Sequence, residues 1–139
     1  RGIRLAGMKQ PLSGYRVIDT TAMVSGPVAT QQLADQGADV IKVERPGVGD
    51  FARGYDNRVR GLSSHFVWTN RSKESLTLDL KQDDATQVLD SLLAKADVIL
   101  AQRDASPRFH VIVRRSMADY IWSWLDDAAR DVGNGASLR

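Results

Sequence analysis

Two β-branched runs separated by a helix-length segment constrain this chain more than any other feature. Residues 15–20, YRVIDT, follow Gly14, and residues 38–44, ADVIKVE, resume the same apolar, β-branched character. Such runs read as short buried strands. Between them, VSGPVATQQLADQG is punctuated at both ends. Ser25 and Gly26 stand at an N-cap, Pro27 at the first helical position, where its missing N–H costs nothing, and Gly37 where the helix stops. Strand, helix, strand is a βαβ unit, which implies parallel strands joined by a right-handed crossover.

The pattern recurs further along. SLTLDL (75–80) alternates as a third strand. Behind Asp83 and Asp84, whose carboxylates suit a helix N-terminus, Ala85, Val88, Leu89, Leu92, Leu93 and Ala96 fall at spacings of three and four. That spacing predicts one buried helical stripe. ADVILA (96–101) repeats the Ala-Asp-Val-Ile of residues 38–41 as a fourth strand. Alternating strands and helices predict an α/β fold, a parallel sheet with flanking helices on both faces. Residues 45–75, rich in Gly, Arg and Ser, show neither period and read as one long loop, which inside a compact domain is usually functional. Past Gln102 the character changes. Residues 109–113 are an apolar run in which His110 reads as a strand residue, and a stripe from Met117 to Val132 predicts a helix over 116–132, capped by Ser116 and ended by Gly133. Trp122 and Trp124, two apart, do not share a helical face, so at least one is expected at the surface or at an interface. The expected organisation is an extension over 1–10, with Met8 reading as a natural start, a domain over 11–102, and a divergent tail over 103–139.

Composition narrows the chemistry. The 139 residues suit one ordinary domain, and 42% hydrophobic with 26% charged residues is the balance of a globular protein. Nineteen basic against seventeen acidic residues leave a formal charge of +2, with no basic stripe of the kind that nucleic acid requires. The absence of cysteine excludes disulfides, thiolate nucleophiles and Cys-ligated zinc, and the two histidines have no carboxylate at ligand spacing, so no metal is expected. No apolar run reaches the length of about 18 residues that a membrane span needs, and the N-terminal stretch has no signal-like apolar core. A cytoplasmic location is the expectation. Of the dinucleotide fingerprint G-x-G-x-x-G only Gly26 is present in the first βα turn, although Glu44 stands at a strand end where an adenosine ribose would bind. No Walker A loop or G-x-S-x-G elbow occurs. His65, within the long loop, is a candidate base whose plainer reading is an exposed loop histidine. Arg53 reads as a turn-stabilising hydrogen-bond donor.

The segments LSGYRVID, GPVAT, LADQGADVIKVERPG, NRSKESLTLDLK and ADVIL, in this order over residues 11–102, resemble the N-terminal part of class III CoA-transferases. That family includes formyl-CoA and carnitine-type CoA-transferases and the α-methylacyl-CoA racemases. The resemblance implies a Rossmann-like coenzyme A domain, incomplete here. It implies a coenzyme A site built from Val24 and Ser25 in the first βα turn, Arg45 after the second strand, and Leu78, Asp79, Leu80 and Lys81 at the third. Gln102 and Arg103 occupy the position of a family Asn-aromatic turn, from which the sequence departs. The residue types suit the ligand: a guanidinium and an ammonium for its phosphates, a helix N-terminus at Gly26-Pro27, and the apolar surface of Leu78 and Leu80 for adenine.

By the same resemblance the substrates are acyl-CoA or CoA and carboxylic acids, and the full-length relatives form homo-oligomers. A carboxylate of an aspartate downstream of the matched region would attack the thioester and give a mixed anhydride. The expected function is movement of CoA between acyl-CoA thioesters and carboxylic acids, with this chain a truncated form able at most to bind CoA. The alternatives are a racemase-like member and a non-catalytic CoA-binding or interaction module.

Overall fold

The computed structural model describes residues 10–102 and 108–119, together with residues 122, 123, 126 and 130. Among the described residues five strands form one sheet: β1 (Arg16–Asp19), β2 (Asp39–Glu44), β3 (Glu74–Thr77), β4 (Val98–Ala101) and β5 (His110–Val113). Their order is β3-β2-β1-β4-β5. The first four are mutually parallel, with Val17 opposite both Val40 and Val98, and β5 runs antiparallel to β4. The order 3-2-1-4 is the one with which doubly wound nucleotide-binding sheets begin. Helices α1 (Ser25–Asp35), α2 (Ser64–Thr69) and α3 (Asp83–Leu93) complete the described elements, with two short 3-10 turns at Phe51–Gly54 and Arg115–Met117.

β1 takes the centre because three successive residues, Val17, Ile18 and Asp19, tolerate burial on both faces of the sheet. Val17, Val40 and Val98 meet Ala34 and Ala38 in the core, and Leu12, Leu33 and Val113 pack against its rim. α1 lies close because of its small residues. A Cβ on Gly26 would fall 2.3 Å from the Thr21 side chain, so only glycine permits this approach of helix to turn.

Several expectations are corrected by the tertiary structure. Ser25 is not a cap: α1 already includes it, Val24 occupies the N-cap, and no side chain caps the helix. The third strand is β3 at Glu74–Thr77 rather than 75–80, since Leu78 leaves the ladder after donating its N–H to the Glu44 carbonyl at 2.9 Å. Residues 45–75 are not one structureless loop. Asp50 caps the first 3-10 turn by accepting from Ala52 N–H, and Ser63 caps α2 by accepting from Phe66 N–H. Both are side-chain events too local for a periodicity argument to register. The stripe is only partly buried: Ala85, Leu89, Leu92 and Leu93 are partly covered and Ala96 is buried, but no residue of α3 itself is fully covered and Val88 is 45% exposed. Periodicity fixes which side of a helix is apolar, not what lies opposite it. The apolar run at 109–113 does form a strand, with His110 in it. Most of the helix expected over 116–132 lies outside the described residues, as does Trp124; Trp122 is exposed.

Candidate functional site

β2 carries the site's foundation. Its buried face reads Val40, Lys42, Glu44: apolar where the strand enters the sheet and charged towards its carboxyl end. Each charge on that face is matched. Lys42 Nζ donates to the Thr21 carbonyl at 2.8 Å and lies 2.8 Å from Asp50 Oδ2, both side chains being 1% exposed. The Asp50 contact is an ion pair rather than an aligned hydrogen bond, since Oδ2 has no hydrogen-bond partner among the described residues. The other oxygen, Oδ1, accepts from the N–H groups of Met23 and Ala52. Asp50 therefore ties the β1–α1 turn, where Met23 holds a left-handed φ of 72°, to the segment after β2.

Glu44 is held in the same manner. Arg53 clamps it bidentately, at 2.8 Å from Nε and 2.6 Å from Nη2, while Ser75 Oγ and Asp50 N–H donate at 2.7 and 2.9 Å. Burial alone would raise this carboxyl, but the hydrogen bonds from Arg53, Ser75 and the Asp50 amide outweigh it and hold the pKa at about 2. The Glu44–Arg53 pair raises Arg53 in turn, chiefly through the hydrogen bond between them. A Glu44 engaged in this way is not disposed towards a ribose, which removes the structural basis for a dinucleotide reading. Arg53 is the turn-stabilising donor that the sequence suggested.

A third buried pair underlies the first βα turn. Lys73 Nζ donates to Asp19 Oδ2 at 2.9 Å, to the Pro27 carbonyl and to Asn70 Oδ1, and Asp19 also accepts from Thr21 and Thr30 hydroxyls at 2.6 Å. Burial opposes the charge on Asp19, but Lys42, Lys73 and the two hydroxyls together hold its pKa below the usual carboxylate value. Lys73 is pushed down by burial, partly offset by Asp19.

On this base, at the carboxyl ends of β1, β2 and β3, lies a cavity of about 430 Å³. That is where ligands bind in open parallel sheets. Thr20–Ala22 form one wall, Lys42 to Pro46 the floor and a second wall, Gly49–Phe51 a third, and Leu78–Lys81 the side after β3. The rim differs in charge from the floor. Lys42 in the floor is paired, whereas neither Nη of Arg45 nor Nζ of Lys81 has an acceptor among the described residues; Arg45 donates only from Nε, to the Gly49 carbonyl at 3.0 Å. The site thus offers two uncommitted cations beside the apolar side chains of Leu78 and Leu80, which suits a ligand carrying phosphate at one end and an apolar or aromatic group at the other.

The cavity brings together Arg45, Leu78, Asp79, Leu80 and Lys81 from the residues expected to form a site. Val24 and Ser25 stand in the adjoining β1–α1 turn and do not line it. Gln102 follows β4 and is not among the lining residues, and Arg103 lies outside the described residues. Sequence reasoning missed Thr20, Thr21, Lys42, Asp50 and Phe51. One signal was available: Lys42 and Glu44 share the alternation face of Val40 in β2, and charges on a buried strand face demand buried partners. His65 lies on α2, edge-on to Tyr55 and Trp68, with Nε2 buried and unpartnered among the described residues, and is not part of this cavity. Among the described residues no His, Asp and Glu cluster is placed to hold a metal ion, and no helix is long and apolar enough to cross a membrane.

Residues 12–108 match the profile of CoA-transferase family III. A formyl-CoA:oxalate CoA-transferase of Bradyrhizobium diazoefficiens is 47% identical over 94 residues, which are 67% of this chain and 22% of the relative. One from Rhodopseudomonas palustris is 46% identical over the same share of each. Among solved structures, a hypothetical protein of Mycobacterium tuberculosis superposes with a TM-score of 0.59 at 46% identity, covering 65% of this chain and 24% of its own. A CAIB/BAIF family protein of Brucella suis gives 0.61 at 34% identity, over 66% and 25%. The chain spans about a fifth of the length of the curated relatives it matches. On the strength of a match that covers most of its sequence and of the α/β architecture it shares with these relatives, the chain belongs to CoA-transferase family III.

Proposed function

We propose that this chain is the coenzyme A-binding portion of a CoA-transferase, one that moves CoA between acyl-CoA thioesters and carboxylic acids. The observation that carries the reading is the contrast within the cavity: its buried cation, Lys42, is neutralised, while Arg45 and Lys81 at the rim retain unused donors. Phosphate is the ligand group that two such cations recognise, and coenzyme A presents a 3′-phosphate and a pyrophosphate. Leu78 and Leu80 supply apolar surface for the adenine. Val24, Ser25 and Gln102 belong to an extension of the site that a longer ligand would reach. The carboxylate that attacks the thioester comes, on this reading, from sequence beyond the region matched here, so the role of these residues is to bind and orient the nucleotide half.

Titration calorimetry with coenzyme A and with 3′-dephospho-CoA tests this. Arg45→Ala and Lys81→Ala should each weaken coenzyme A by about tenfold or more, the worth of one charge-assisted hydrogen bond, with little change in melting temperature. Whichever cation holds the 3′-phosphate should lose its effect on the dephospho ligand. Absence of heat with millimolar coenzyme A and folded wild-type chain would sink the proposal. A panel of acyl-CoA donors and carboxylates then separates transfer from binding alone.

A further inference from the structure

The guanidinium of Arg45 is not a free surface charge. Its Cζ lies 4.2 Å from the centroid of the Phe51 ring, and its Nε is held by the Gly49 carbonyl. These two contacts hold the group while leaving both Nη nitrogens unused among the described residues. Phe51 itself lines the cavity and is 56% exposed, so the face under Arg45 is at the cavity's edge. Its position is set from below: Asp50, locked by Lys42, caps the 3-10 turn that begins with Phe51.

We propose that Phe51 is a positioning residue for Arg45, holding the guanidinium over the cavity so that phosphate binding does not have to order a long, flexible side chain. This rests on the coenzyme A reading above and adds to it a residue that acts through Arg45. Arginine in water samples many rotamers, and a ligand that fixes them loses affinity accordingly; stacking on an aromatic face settles part of that entropy before the ligand arrives. The ring quadrupole is the operative feature, because it attracts the cation without occupying any of its N–H donors.

The test is a double-mutant cycle on the whole chain, read by calorimetry with coenzyme A as the probe. Phe51→Ala should weaken binding by about three- to tenfold, in the range of a cation–π contact. In an Arg45→Ala background the same substitution should have no further effect. Phe51→Tyr, which keeps a ring, should bind like wild type. Phe51→Leu, which keeps apolar bulk without a quadrupole, should behave like Phe51→Ala and guards against a folding artefact. A Phe51 effect that persists in full without Arg45, or a leucine variant that binds like wild type, overturns the positioning role while leaving the coenzyme A site intact. Failure of the wild-type chain to bind coenzyme A overturns both together.

Discussion

At the carboxyl ends of β1 and β2 the interior is ionic, with Lys42 and Lys73 set against Asp50 and Asp19, and with buried Glu44 held by Arg53 from the surface. In α3 and β5, by contrast, apolar side chains stand in solvent, Val88, Val111 and Ile112 among them. The usual distribution is inverted between these two regions. Buried ion pairs are poor sources of net stability, because desolvation consumes most of the attraction, but each fixes its partners tightly. The cleft side therefore has geometry at the expense of stability, and the α3 side has apolar surface with little geometry imposed on it. A fixed floor beneath a rim at which Arg45 and Lys81 keep unused donors is an arrangement that suits a phosphate group.

The largest effect expected from this contrast is at Lys73. Lys73→Met leaves Asp19 buried without its closest cation and should cost about 3–5 kcal/mol in thermal or urea unfolding. A loss under about 1 kcal/mol would mean that this interior is wetter than its burial implies. Next comes Gly49, with φ of 61° and an added Cβ that would sit 2.7 Å from Glu44 Oε2. Gly49→Ala should cost about 1–3 kcal/mol through backbone strain, and would also disturb the Arg45 anchor. Stability should also respond to acid. Glu44 has a folded pKa below its unfolded one, so its contribution is complete above about pH 4.5 and is lost as pH falls towards about 2; Asp19, whose pKa is also lowered by folding, acts in the same direction. Arg53→Met should flatten that acid limb by letting the Glu44 pKa rise; an unchanged limb would place its origin elsewhere. Smallest is α3, where Val88→Ser should stay within about 0.5 kcal/mol because the side chain is already half in water. A larger loss there would reveal a covering layer on α3.

Legibility in the sequence followed the range of the interactions. Strands β1, β2 and β4 and helix α1 were readable because β-branched runs and a Pro-Gly punctuated helix declare themselves within about ten residues. The segment 45–75 was opaque: its order comes from Asp50 and Ser63 capping their own turns and from Arg53 reaching back nine residues to Glu44. In the site, Arg45 and Leu78–Lys81 were legible through the family resemblance. Phe51 was not, because an aromatic residue in a glycine-rich loop gives no indication that a guanidinium will lie on it.

By itself the sequence determined the α/β class, the βαβ start and the family, since these depend on periodicity, on turn chemistry and on motifs in fixed order. Only the tertiary structure decided which charges are spent and which are free. Lys42 and Arg45 are three residues apart on one strand end, yet one is sealed against Asp50 and the other lies open on Phe51. The physical reason is that a charge is neutralised by what folds over it, and the groups that do so here come from the β1–α1 turn and the loop after β2, which meet only when the parallel sheet brings their strand ends together.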